Sequence, residues 1–157
     1  MKNLLKISAI LTVFLAFWAC QDDEEICAED TTPRLVVQFY DTSTQKIKTL
    51  DSVYVSSNFL GTTTYAYAKA SKIYIPLSGA AATDKIKLKL KKNDTSADEI
   101  TINYTPVEKY QSKGCGFGYT YQDVSSTLTT PAPNVQSITQ NLTTIENESE
   151  AHLYIYY

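Results

Sequence analysis

The chain has 157 residues, with 14 Lys and Arg against 17 Asp and Glu, one His and three Cys. A net charge of −3 supplies no basic face for a phosphate backbone, which argues against a nucleic-acid partner. A single histidine leaves no pair of imidazoles for a metal centre.

In chain order, Lys2 and Lys6 precede a short apolar run, Ile7 to Trp18, interrupted only by Ser8 and Thr12. This is the layout of a secretory signal. A membrane-spanning helix needs about 20 apolar residues to cross a hydrocarbon core of roughly 30 Å, and the run stops short of that. Phe17-Trp18-Ala19-Cys20 resembles a lipobox, in which a small residue sits immediately before a cysteine that carries the lipid. The expected organisation is a lipoprotein signal peptide over residues 1–19, a lipidated Cys20 opening an acidic tether over residues 20–31, and one domain over residues 32–157. Ordinary signal cleavage is the alternative.

Cleavage removes Lys2 and Lys6 and no acid, so 12 basic residues face 17 acidic ones in the mature chain. Six of the acids, Asp22, Asp23, Glu24, Glu25, Glu29 and Asp30, lie before residue 32, which leaves the remainder almost neutral. Consecutive carboxylates repel one another and bury nothing, so the stretch reads as a solvated tether. Gln21-Asp22-Asp23-Glu24-Glu25 also resembles the acid-rich surface-export signals of Bacteroidota lipoproteins. The expected location is therefore the outer membrane, facing the periplasm or the cell exterior.

Past the tether the dominant signal is alternation. Arg34 to Tyr40, Lys72 to Ile75 and Asp84 to Lys91 carry β-branched, aromatic and leucine residues in short bursts, the last with period two. Ser52 to Ser56, Thr64 to Ala68, Glu99 to Tyr104, Phe117 to Val124, Ser137 to Thr143 and Leu153 to Tyr157 are further strand candidates. Leu60-Gly61, Ser78-Gly79, Asn93-Asp94 and Pro131 to Asn134 read as turns. About nine short strands and no helical stripe predict an all-β fold, a single antiparallel β-sandwich of immunoglobulin-like type.

The leader, Cys27, Thr32 to Asp41, Ile75-Pro76-Leu77, Ser112 to Phe117 and the β-type end His152 to Tyr156 together resemble a family of small Bacteroidota lipoproteins of a domain of unknown function. The resemblance spans nearly the whole chain. It implies an envelope location and one β domain, and it brings no activity with it.

No catalytic residue, metal ligand set or cofactor site is read from the sequence. Gly114-Cys115-Gly116-Phe117-Gly118 is glycine-rich but leads into a strand, not the helix N-terminus that a phosphate loop requires. His152 has no partner at ligand spacing and reads as a half-exposed strand residue. With Cys20 lipidated, Cys27 and Cys115 form the one possible disulfide in an oxidising compartment.

Lys85, Lys87, Lys89 and Lys91 alternate with Ile86, Leu88 and Leu90, so their amines share one solvent face. That row reads as a solvated edge-protecting face, or as a contact for an acidic glycan. The 12 tyrosines pair along strands, as in Tyr65 with Tyr67, Tyr119 with Tyr121, and Tyr154 with Tyr156. They read as cross-strand packing or as an aromatic platform. Tyr119 and Tyr121, with the lysine row, form the candidate binding surface. Asp30-Thr31-Thr32 and Asp51-Ser52-Val53 resemble Bacteroidota O-glycosylation acceptors, making Thr31 and Ser52 candidate sites. The expected function is a non-enzymatic envelope lipoprotein, held to a membrane by its lipid and meeting an envelope protein or glycan, with a glycan- or ligand-binding module as the alternative.

Overall fold

The computed structural model describes residues 32–157. Nine strands run in order: β1 Leu35–Tyr40, β2 Leu50–Ser57, β3 Tyr65–Ala70, β4 Lys72–Ile75, β5 Thr83–Lys89, β6 Asp98–Ser112, β7 Gly116–Leu128, β8 Ser137–Gln140 and β9 Leu153–Tyr156. They form two sheets, ordered β4-β1-β9-β8 and β3-β2-β5-β6-β7. No helix occurs among the described residues. This is the all-β, sandwich-like architecture that the alternation predicts.

Each sheet turns one set of alternating side chains inward. In β5, Asp84, Ile86 and Leu88 are buried while Lys85 and Lys87 are exposed, as a period-two strand with one wet face requires. Leu35, Val37, Phe39, Ile73, Leu153 and Ile155 from the first sheet and Val53, Val55, Ile86, Leu88, Ile100 and Ile102 from the second belong to one core cluster. Burial of an aliphatic side chain of this size contributes about 1.5–3 kcal/mol.

One pairing departs from the expected antiparallel arrangement. β1 and β9 run parallel, with Val37 opposite Leu153 and Phe39 opposite Ile155. The chain's last strand therefore lies between β1 and β8, and β1 is buried from Leu35 to Phe39 on both faces. Long connections make this possible, because a parallel pair cannot be closed by a tight hairpin.

The β6–β7 hairpin is longer than the alternation suggests. β6 continues past Tyr104 through Pro106 to Ser112, and β7 begins at Gly116. Thr105 pairs with Gln122 whereas Asn103 pairs with Ser125, so β7 carries one extra residue there. Asp123 takes that bulge in the left-handed region, at φ 52°, a conformation that Asp tolerates better than most residues. The bulge lets both Tyr121 and Val124 face the core.

Two buried carboxylates are met by backbone donors. Asp98, 0% exposed, accepts from Asn134 N at 2.9 Å, Val135 N at 3.0 Å and Asn134 Nδ2 at 3.1 Å. These bonds pin the turn before β8 to the start of β6. Asp84 Oδ1 accepts from Lys85 N and Phe59 N.

Candidate functional site

Two outward faces and one end of the sandwich hold the residues with binding chemistry. On the first sheet, the inward turn of Leu35, Val37 and Phe39 sends Val36, Gln38 and Tyr40 outward. The register sets Tyr74 opposite Val36, Tyr154 opposite Gln38, and Tyr156 opposite Tyr40. Four half-buried tyrosines, Tyr40, Tyr74, Tyr154 and Tyr156, thus share this face. The Tyr40 ring meets Tyr154 edge-on at 5.1 Å and Tyr156 at a tilt at 5.5 Å. Burial, then the neighbouring Tyr154 and Tyr156, raises the pKa of Tyr40, so its hydroxyl stays a neutral donor.

Arg34 borders this face, its guanidinium 4.9 Å from the Tyr74 ring centroid, within cation–π range. Its Nε and Nη2 each donate to Glu148 at 2.8 Å, and its backbone N–H donates to the same carboxylate at 2.9 Å. These hydrogen bonds lower the pKa of Glu148 and fix the guanidinium plane.

On the second sheet, Lys85, Lys87 and Lys89 project from β5, but the row ends there, because Lys91 lies beyond the strand. Lys85 and Lys87 share Glu99 at 3.3 and 3.9 Å. Lys89 Nζ donates to the Asp94 carbonyl at 2.7 Å. The expected row of four cations is thus a short, partly neutralised one. Beside it lies an open groove of about 450 Å³ lined by Tyr54, Ser56, Thr64, Ala66, Lys89 and Lys92. Its aromatic floor, Tyr54, is flanked in register by Ala66 and Lys89.

The other candidate tyrosines are not an exposed platform. Tyr121 is 0% exposed, and its hydroxyl donates to the Leu77 carbonyl at 2.8 Å. It packs edge-on against Tyr104 at 5.2 Å. Burial, together with Tyr104 and Tyr119, pushes its pKa up to about 12. Tyr119 is half-buried and covers Gly79, where an added Cβ would meet its ring at 2.4 to 2.6 Å. Both tyrosines line a shallow cavity of about 340 Å³ with Pro33, Phe59, Pro76 and Leu77. Nothing in the local sequence distinguishes this pair from Tyr154 and Tyr156, which do lie on an outer face.

His152 is 2% exposed and precedes β9, so it is not the half-exposed strand residue expected. Its Nδ1 accepts from Val36 N at 2.9 Å, and burial lowers its pKa despite the Asn147 backbone and Glu148. It joins the two ends of the domain as a neutral acceptor. Ser52, a glycosylation candidate, sits within β2 and donates its hydroxyl to the Leu90 carbonyl, which ties up the oxygen a sugar would need. Thr31, Cys20 and Cys27 lie outside the described residues. Cys115 is disulfide-bonded, and its partner also lies outside them. Among the described residues, no group of three or more His, Cys, Asp or Glu side chains is placed to hold a metal ion.

No curated protein and no solved structure matches the chain. A family model described as a family of unknown function, DUF6452, matches residues 44–157, from the turn after β1 to the final residue. That is more than half of the sequence, and the chain belongs to this family of unknown function.

Proposed function

We propose that the protein is a non-enzymatic lipoprotein of the cell envelope, anchored in the outer membrane through Cys20, with its β domain acting as a structural or interaction module. The observation that carries this reading is the order Lys2, Lys6, apolar run, Ala19, Cys20 and acidic stretch at the head of a β domain. The disulfide at Cys115 supports an oxidising compartment, and Cys27 is the proposed partner once Cys20 carries lipid. The likeness to small Bacteroidota lipoproteins supports the same location.

Mass spectrometry of the membrane fraction tests the anchor. The expected mature N-terminus is Cys20 with added acyl mass, since stable anchoring takes two or more chains. An unmodified N-terminus elsewhere overturns it. Replacing Asp22, Asp23, Glu24 and Glu25 with Ala tests the export reading, under which the domain should change from protease-accessible to protease-protected in intact cells.

A second reading, a glycan-binding surface module, is favoured by the tyrosine face of the first sheet. Half-exposed rings with an oriented Arg34 at the border offer stacking surface and a polar handle in one place. The Tyr54 groove with Lys89 and Lys92 suits an acidic sugar. Tyr154→Ala with Tyr156→Ala should abolish retention on envelope polysaccharide while leaving the melting temperature within a few degrees. Equal retention of this variant overturns the reading.

A further inference from the structure

The core-facing stripe of the β6–β7 hairpin overruns the sandwich. Pro106 pairs with Tyr121, Glu108 with Tyr119, and Tyr110 with Phe117, so these positions share one face by the two-residue repeat. At the base of the arm this face is core, because Tyr121 is fully buried. Farther out it is half-buried at Tyr119. At the tip it is bare: Tyr110 is 57% and Phe117 62% exposed, and the two rings pack edge-on at 5.3 Å. Glu108 shares this face and is exposed, Lys109 alternates to the opposite face, and Lys113 lies in the exposed turn between the strands. The aromatic pair thus continues a core stripe beyond the cover of the second sheet.

The covalent route from the membrane leads to this tip. If Cys27 bonds Cys115, the lipid on Cys20 and the hairpin tip are separated by the seven chain steps from residue 20 to residue 27. Fully extended, those steps span at most about 25 Å. The disulfide therefore makes the distal hairpin, and not the start of β1, the part of the domain held closest to the lipid.

We propose that the tip of the β6–β7 hairpin docks on the phospholipid interface, with Tyr110 and Phe117 among the headgroups and Lys113, in the turn, at the level of the phosphates. The inference rests on the lipid anchor at Cys20 and the Cys27–Cys115 bond proposed above. Tyrosine suits this depth, having an apolar ring and a polar tip, and lysine can extend its amine toward phosphate. The contact is weak alone and is maintained by the high effective concentration that a short leash imposes.

The mature chain offers a clean readout, because Trp18, the sole tryptophan, lies in the leader. Phe117→Trp then supplies a single fluorophore at the tip, and Phe59→Trp supplies a control at another exposed position. Each lipidated full chain is reconstituted into phosphatidylcholine vesicles with and without brominated acyl chains. Emission from position 117 should shift to the blue and be quenched by the bromines, with little of either at position 59. Lengthening the leash by a Gly-Ser insertion between Glu25 and Ile26, which keeps the disulfide, should reduce the quenching at position 117.

Absent quenching at position 117, or equal quenching at both positions, overturns the docking when the same sample shows acyl mass on Cys20. A blue shift at position 117 without quenching overturns it as well, and assigns cover of the tip to the chain's own N-terminal segment. Undiminished quenching after the insertion removes the leash as the cause and overturns the inference as stated. A sample lacking acyl mass on Cys20 overturns the anchor itself, so the two failures are told apart by mass.

Discussion

The Nδ1 atom of His152 accepts the backbone N–H of Val36 at 2.9 Å, and the backbone N–H of His152 donates to the Val36 carbonyl at 2.8 Å. Two residues 116 positions apart are thereby paired through two hydrogen bonds, one of them to the imidazole ring. This clamp sets the parallel register of β1 and β9 just before their first paired residues, Val37 and Leu153.

The clamp makes stability depend on pH in a stated direction. Burial holds the folded-state pKa of His152 below the ordinary 6.5, so the unfolded chain binds the proton more readily. The stabilisation is fully present above the unfolded value and is lost as pH falls below it. Chemical denaturation should show falling stability between about pH 7 and pH 5. His152→Gln should flatten that part of the slope, and an unchanged slope would refute the assignment. His152→Ala leaves the Val36 N–H unmade at a cost of about 1–3 kcal/mol. Glu148 acts in a separate, lower window, since its depressed pKa removes stability only as pH falls through and below the ordinary 4.5.

Asp98 anchors the turn that delivers β8. Asp98→Ala strands the N–H groups of Asn134 and Val135 and the Asn134 amide, for a loss on the order of 3 kcal/mol. Thermal unfolding should show a melting temperature lower by roughly 10 °C. Asp98→Asn keeps one acceptor oxygen and should lose less. A melting temperature unmoved in Asp98→Ala would show that these bonds contribute nothing net.

Gly79 and Tyr119 should be coupled. Gly79→Ala places a methyl group within 2.6 Å of the Tyr119 ring, so the ring must swing away at a cost of about 1–3 kcal/mol. In a Tyr119→Ala background those ring atoms are gone, and the same methyl group should cost far less. A double-mutant cycle measured by urea unfolding checks this, and additivity of the two changes would contradict the packing described here.

The disulfide can be tested without a structure. On the proposed pairing, non-reduced mature protein should titrate no free thiol, and Cys27→Ser should free one, from Cys115. The bond would close 88 residues between positions 27 and 115, for which the chain-entropy model allows about 4–5 kcal/mol at most. Reduction should lower the melting temperature accordingly. Two reactive thiols in the non-reduced mature protein would rule the pairing out.

All nine strands are legible in the amino-acid sequence, because short bursts of β-branched and aromatic residues mark them, and where the period of two is regular it also states which side meets the core. Lys85 to Leu88 shows this residue by residue. The distal half of β6 is not legible, since Pro106, Glu108 and Lys109 interrupt the pattern and pairing there comes from the hairpin ladder instead of burial, and β7 runs past the Val124 that the pattern marks as its end to Leu128.

Local pattern is equally silent on which strands become neighbours. Tyr154 and Tyr156 resemble Tyr119 and Tyr121 as sequence, yet the first pair flanks Tyr40 on an outer face, while Tyr121 closes the core. That difference was decided by the parallel seating of β9 against β1 and by the bulge at Asp123, both long-range events of register. His152 likewise gained its role only when the last strand found the first. The sequence alone determined the class of fold and, where the alternation is regular as in β5, the inward face of the strand, since those follow from the pattern along a single segment. The tertiary structure decided which tyrosines are available, where the lysine row is neutralised, and that the hairpin face outruns its cover, because each depends on pairing between segments far apart in the chain.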